Sequence, residues 1–192
     1  MEESTVTVDG ERHETGRPFM VIATQNPIEQ AGTYRLPEAQ LDRFLVKTTI
    51  GYPDRKALTR ILAGSARPDR SKSLKTVITA PAVAQMADLA AGNHVEDSVL
   101  DYIGALVEAT RSSPDTRLGV STRGAIAMTR AARVWAASRG RAYVLPDDVK
   151  ELAEVVWAHR LVMDPDAEFS GATARGVVTR ALEETPAPTT RL

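Results

Sequence analysis

An unbroken apolar run, Phe19 to Ala23, is bounded by Pro18 on one side and by three polar residues on the other. A short apolar run of this kind, without alternation, is typical of a strand buried on both faces of a parallel sheet. Pro27 ends the strand because proline cannot donate a ladder hydrogen bond. Asn26 is therefore expected at the carboxyl end of the strand, where open α/β sheets bind their ligands.

The segment after this strand predicts three further elements. Pro37 to Val46 has its proline at the first helical position and apolar residues at helical spacing, which indicates a short helix. Asp42 and Arg43 flank its apolar stripe and are expected to face solvent or an interface. Lys47 to Tyr52 predicts another strand, and Asp54 to Ala63 predicts a helix.

Ahead of the apolar run, Thr5 to His13 is a β-branched, alternating stretch interrupted by Asp9-Gly10. Asp-Gly between two such arms is a strong short-range signal for a β-hairpin.

The second half of the chain is helical in pattern. Apolar residues recur at helical spacing in four stretches joined by short connections, which favours a small helical bundle. We expect Asp164 to Asp166 to form a turn and Thr173 to Glu184 a final short helix. The four stretches are 81–91, 95–112, 121–139 and 146–159.

Composition excludes several classes of protein. The 192 residues are 43% hydrophobic and 26% charged, as in an ordinary globular protein, and the net charge of −1 does not favour nucleic acid as a partner. The chain has no cysteine, which excludes thiolate catalysis and cysteine-ligated zinc, and its three histidines show no metal-binding spacing. No apolar stretch approaches the ~20 residues of a membrane span, and no signal peptide is visible, so a cytoplasmic location is expected.

Two segments carry a resemblance to a known family. Ala23-Thr24-Gln25-Asn26-Pro27, followed by Leu36-Pro37-Glu38-Ala39-Gln40-Leu41-Asp42-Arg43-Phe44, resembles the sensor-1 strand and arginine-finger helix of the MoxR family of AAA+ ATPases. The predicted hairpin is similar to the pre-sensor-1 hairpin of the same branch.

The resemblance implies roles for two residues. Asn26 would be the sensor-1 residue that orients the attacking water, work that suits an amide because it offers both a donor and an acceptor. Arg43 would be the arginine finger that reaches the nucleotide site of a neighbouring subunit. A finger supplied in trans is worth ~10³–10⁵ in rate.

A second candidate site lies at the start of the predicted helix 121–139. Ser121 or Thr122 can cap this helix, which places Arg123 in the first turn, where the helix dipole disfavours a cation unless an anion is bound nearby. The resemblance implies that Arg123 is the sensor-2 arginine, which contacts the phosphates of ATP. Members usually have proline where Thr122 stands. They also tend to have a serine or threonine cap where Leu145 stands, so the helix from Pro146 is expected to start uncapped and to fray.

Two parts of the family's nucleotide site are missing from the sequence. The chain has no Gly-x-x-x-x-Gly-Lys-Ser/Thr phosphate loop and no acidic Walker-B strand. We therefore expect a truncated C-terminal portion, which alone would bind neither ATP nor Mg²⁺ in the normal way. Its fold class would be an α/β part-domain, the last strands of an AAA+ parallel sheet with the hairpin, followed by an all-α helical-bundle lid. The expected divisions are 1–63 for the part-domain, 64–185 for the lid and 186–192 for a disordered tail.

The resemblance implies an ATPase that uses ATP and Mg²⁺ and forms ring oligomers, commonly hexamers. Such an ATPase remodels or activates partner proteins, which often have von Willebrand factor A domains. An alternative is a non-catalytic interaction module that docks on a full-length relative or partner. A third hypothesis is a DNA-binding module, which the net charge and a hairpin tip without lysine disfavour.

Overall fold

A computed structural model describes residues 5–25, 36–64 and 74–189. Within these ranges short strand pairs accompany a mainly helical chain. The strands are β1 (Thr5–Val8), β2 (Glu11–Glu14), β3 (Thr116–Leu118) and β4 (Val162–Met163). The helices are α1 (Glu38–Leu41), α2 (Arg55–Gly64), α3 (Ala80–Ala91), α4 (Asp97–Ser112), α5 (Thr122–Ser138), α6 (Pro146–Trp157), α7 (Pro165–Phe169) and α8 (Ala174–Glu184), and a 3-10 turn, Ala158–Arg160, follows α6.

The predicted hairpin is confirmed. β1 pairs antiparallel with β2, with Thr5 opposite Glu14 and Val8 opposite Glu11. Asp9 and Gly10 form the connection with φ of 52° and 85°. Two consecutive positive φ values match the two-residue turn that suits the twist of a hairpin.

The helical bundle is confirmed, and it holds the hydrophobic core. α5 packs against α3, α4 and α6, while α8 packs against α4 and α6. The antiparallel pair β3–β4 joins the segment before α5 to the segment after α6. The largest fully buried apolar side chains of the core are Leu106, Val120, Met128, Val149, Val156, Trp157 and Val178.

Two predicted strands are not formed. Residues 19–25 and 46–54 have no regular secondary structure. Met20 and Ile22 are 78% and 82% exposed, so the apolar run does not lie inside a sheet. No strand of the described chain pairs with it, and an apolar segment without neighbouring strands has no ladder to join. Of the expected architecture, the hairpin, the short helices and the bundle are therefore present, without a parallel sheet in the described ranges.

Helix boundaries were predicted closely except at α1, and α2 lies within one residue of the predicted 54–63. The bundle helices begin and end within two residues of expectation, but α1 covers only Glu38–Leu41 of the predicted 37–46. The expected turn at Asp164 is instead the start of α7, because the Asp164 carboxylate accepts hydrogen bonds from the amides of Asp166 and Ala167.

α6 begins without a side-chain cap at Leu145, as expected. The amide of Leu145 donates to Asp148 Oδ2 at 2.8 Å, which is the reciprocal half of a capping box and was not predicted. Arg141 donates to both oxygens of the same buried carboxylate, at 2.7 and 2.5 Å. The start of α6 is therefore fixed from two sides.

Candidate functional site: the junction of α1 and the helical bundle

The turn that follows α1 lies against the bundle. Asp42 and Phe44 are half-buried, whereas Arg43 between them is exposed. α1 itself is a single turn, closed by the amide of Asp42 donating to Glu38 O at 3.0 Å. The expectation that Asp42 faces solvent or a partner is wrong, because this side chain turns inward and meets three residues of the bundle.

The first of these residues is Arg160, at the end of the 3-10 turn. Its Nη1 donates to Asp42 Oδ1 at 2.7 Å, and the arginine side chain is only 1% exposed. The other ends of the guanidinium group donate to Val156 O at 2.8 Å and to Phe44 O at 2.7 Å. A buried guanidinium with every nitrogen hydrogen-bonded is the arrangement that offsets the cost of desolvating its charge.

The second and third residues stand at the start of α5. Ser121 is the N-cap, with its Oγ accepting from the amide of Gly124 at 3.0 Å. The same hydroxyl donates toward Asp42, 3.0 and 3.1 Å from the two carboxylate oxygens. Arg123 Nη1 lies 3.4 Å from Asp42 Oδ2.

Gly124 makes room for this junction. A Cβ at this position would lie 2.7 Å from Val120 Cγ1 and 3.1 Å from Arg160 Cδ. The carbonyl of Gly124 accepts from Trp157 Nε1 at 3.0 Å, which holds the end of α6 against the start of α5. A glycine here thus lets the Arg160 side chain pass beside α5 to reach Asp42.

Asp42 is held as an anion by its neighbours. Burial acts to raise the pKa of its carboxyl group, but hydrogen bonds from Arg160 and Ser121 outweigh that effect and hold the pKa below its usual 3.8. The anion expected near the first turn of α5 is therefore supplied by the chain itself. This carboxylate compensates the positive charge of Arg123 at the helix start.

His159 provides another contact to the same turn. Its Nε2 lies 3.0 Å from Phe44 O, so this nitrogen carries the proton. Burial lowers the pKa of His159, and the hydrogen bond to Phe44 opposes that shift only in part. His159 lies at a helix end, as the sequence indicated, but it is partly buried against the turn.

The structure describes two of the three site residues that the sequence singled out. Asn26 lies outside the described residues. Arg43 is exposed on the turn, and Arg123 meets Asp42, the residue that directly precedes Arg43. Sequence reasoning missed Arg160 and His159, since no motif marked them and both lie more than 100 residues from the turn.

A metal centre was not expected from the sequence. Across residues 5–25, 36–64 and 74–189 no group of three or more His, Asp or Glu side chains is arranged to hold a metal ion. Over the same ranges, no helix combines the length and the apolar character that crossing a membrane requires.

Comparisons with known proteins identify the class of protein to which this fold belongs. Residues 1–46 match the ATPase family associated with various cellular activities (AAA), and residues 108–181 match the AAA lid domain family. A crystal structure of a candidate ATPase from Cytophaga hutchinsonii superposes with a TM-score of 0.87 at 31% identity, covering 98% of this chain and 60% of that one. The chain is thus a C-terminal AAA+ portion with its helical lid.

Similar proteins with known sequences indicate the particular family of AAA+ ATPases. The chain is 39% identical over 191 residues to the uncharacterized protein YeaC of Bacillus subtilis, and 35% identical over 199 residues to the chaperone MoxR1 of Mycobacterium tuberculosis. A protein MoxR of Paracoccus denitrificans is 30% identical over 169 residues. The chain spans 60%, 52% and 50% of these three relatives, while they cover 100%, 98% and 78% of it. It belongs to the MoxR family of AAA+ ATPases.

Proposed function

We propose that this chain works as part of a MoxR-type AAA+ ATPase ring, in which ATP binding and hydrolysis are coupled to the chaperone-like remodelling or activation of partner proteins. The observation that carries the proposal is the setting of Arg43. Its neighbours Asp42 and Phe44 are fixed to the lid, yet its own side chain is exposed, and no residue in the described part of the chain bonds to it. An arginine finger must be presented outward in this way to serve a neighbour's nucleotide.

Arg123 is proposed as the sensor-2 residue. The start of α5 gathers a hydroxyl and two guanidinium groups around one carboxylate, and this donor set also fits a phosphate group. ATP would supply the γ-phosphate whose charge these cations stabilise. Asn26 is proposed as sensor 1 by resemblance alone. Neither a phosphate loop nor the residues that would hold Mg²⁺ are identified in this sequence.

The ring assembly, the cytoplasmic location and a partner with a von Willebrand factor A domain are further parts of the proposal, supported by membership of the family. The division into a part-domain (1–63), a lid (64–185) and a tail (186–192) is proposed on the same basis.

The test is complementation in a mixed assembly. MoxR1 of Mycobacterium tuberculosis, with the residue that aligns with Arg43 replaced by alanine, is combined with an excess of this chain, and ATP turnover is measured. The chain should raise kcat, while Arg43→Ala should abolish the rise. Arg130→Ala, which removes another exposed arginine on α5, should leave it intact.

The alternative is a non-catalytic module that docks on a relative. The exposed apolar residues Phe19 to Ile22 favour such docking. Binding of the chain to MoxR1 with no change in kcat, whether or not Arg43 is present, would support this alternative and reject the finger.

A further inference from the structure

The turn that carries Arg43 is fastened to the lid on both sides of that residue. Arg160 Nη1 donates to the carbonyl of Asp42, and Arg160 Nη2 donates to the carbonyl of Phe44 at 2.7 Å. His159 donates to the same Phe44 carbonyl. Beyond the turn, the amide of Lys47 donates to Val155 O at 2.9 Å. On the lid side, each of these four contacts with the backbone of the turn and of Lys47 is made by a residue between 155 and 160.

Arg160 is the residue that bridges the two carbonyls. Its guanidinium is planar, and its Nε is already committed to Val156 O in the last turn of α6. Two of its N–H groups then fix the carbonyls on either side of Arg43 with a set spacing, which a flexible lysine ammonium would not do. The ion pair with the Asp42 carboxylate adds a side-chain contact to the backbone contacts.

We infer that Arg160 is a positioning residue for the arginine finger, fastening the 42–44 turn to the lid so that Arg43 moves as one body with its own lid. This inference rests on the proposed role of Arg43. Since Arg123 of the same lid also meets the Asp42 carboxylate, the sensor-2 candidate and the finger share one anchoring residue. A lid movement caused by phosphate contact at Arg123 is therefore transmitted to Arg43.

The fastening can be measured in the full chain by itself. The chain contains no cysteine, so Arg43→Cys and Ser138→Cys give two unique sites for spin labels. Ser138 ends α5, about 24 Å along the helix from its first residue at 1.5 Å per residue, which suits a pulsed electron resonance distance measurement. We expect one narrow distance, and we expect Arg160→Met to replace it with a broad distribution.

A matched control separates positioning from stability. Arg141→Met also removes an arginine from an ion pair with a largely buried carboxylate, that of Asp148, but far along the chain from the 42–44 turn. It should leave the distance narrow. Arg160→Lys keeps the charge and loses the planar fork, so it should broaden the distance even if Arg160→Met folds poorly. A narrow distance in both Arg160 variants, or equal broadening in Arg141→Met, would overturn the inference.

The mixed assembly provides the functional measurement. Arg160→Met should lower the kcat that the chain restores by up to about 100-fold, because small misplacements of a catalytic group have effects of that size. The KM for ATP should be unchanged, and Arg160→Met should have no further effect when Arg43→Ala is present. Full restoration by Arg160→Met would overturn the positioning role. Failure of the unmodified chain to restore turnover would reject the proposed function, while the spin-label distances would still decide whether Arg160 fastens the turn.

Discussion

Arg160 and Asp42 are separated by 118 residues in the chain and form an ion pair of 2.7 Å at the edge of the lid. Their side chains are 1% and 17% exposed. The pair joins a one-turn helix with little core of its own to a bundle that holds most of the buried residues.

Replacing Asp42 by asparagine should destabilise the fold. The Arg160 charge would remain buried without its anion, and the loss of one partner of a buried pair costs roughly 3–5 kcal/mol. Chemical denaturation, followed by circular dichroism, measures this change in the free energy of unfolding. Asp88→Asn, which breaks the exposed pair with Arg17, should change it by less than about 1 kcal/mol. Equal effects of the two variants would contradict the burial argument.

The Asp42 carboxylate should also make the stability of the fold depend on pH in the acid range. The pKa of Asp42 is lower in the folded chain than its usual 3.8, so its contribution to stability is fully present above that value. The contribution is lost as pH falls below 3.8 through the pKa of the folded state. Urea midpoints measured between pH 5 and pH 2.5 should fall less steeply for Asp42→Asn than for the unmodified chain.

His159 predicts a separate loss of stability at milder pH. Burial lowers its pKa below the usual 6.5 in the folded chain, so the unfolded chain takes up the proton first as pH falls. Stability should decline below pH 6.5 and level off once pH is below the pKa of the folded state. His159→Gln should remove this part of the decline, whereas His13→Gln, in the exposed hairpin, should retain it. The readout is the urea midpoint from pH 7.5 to 5.

The proton that His159 gains would meet no acceptor. In the described part of the chain its Nδ1 has no hydrogen-bond partner, and the neighbouring Arg160 and Lys47 charges disfavour a further cation. Both effects disfavour the protonated form of His159 in the folded chain.

Alanine substitutions at two glycines should act in opposite directions. Gly124→Ala would press a methyl group against Val120 and Arg160, and overpacking of this kind costs about 1–3 kcal/mol. Gly104→Ala, inside α4, meets nothing within 4 Å and should stabilise by roughly 0.5–1 kcal/mol. Thermal unfolding of the two variants checks the signs. A stabilising Gly124→Ala would show that Arg160 does not need this space.

The contacts of Asp148 at the start of α6 can be tested by substitution. Asp148→Ala would leave Leu145 without an acceptor for its amide and Arg141 without its ion-pair partner, and we expect a loss of roughly 3 kcal/mol or more. Asp147→Ala, one residue earlier and exposed, should cost less than about 1 kcal/mol. Amide hydrogen exchange in the first turn of α6 should rise only in Asp148→Ala.

Local patterns predicted the elements that depend on local contacts. The Asp9-Gly10 hairpin and the bundle helices follow from turn chemistry and helical spacing, which each segment carries within itself. Ser121 was likewise predicted as one of two candidate caps of α5, and the structure selects it.

Elements that depend on distant partners were predicted poorly. The apolar run from Phe19 would be a strand only beside other strands, and the described chain offers it none. Asp42 was expected to face outward because nothing near it in the sequence indicates Arg160. Two of the missed features are local. The hydrogen bond from the Leu145 amide was not predicted because its acceptor, Asp148, lies three residues beyond the usual cap position. The α7 start was misread although Asp-Pro is also a helix-start signal.

The separation between Asp42 and Arg160 also sets an order of events during synthesis. The 42–44 turn leaves the ribosome long before residue 160, and contacts so distant in sequence form late because the intervening chain must first be ordered. The bundle, whose α5–α6 packing joins neighbours in sequence, should fold first and then capture the turn. A nascent chain that stops before Arg160 would still carry Arg43 but would lack the Arg160 contacts with the 42–44 turn, so it would lose the fixed position of the proposed finger without losing the residue itself.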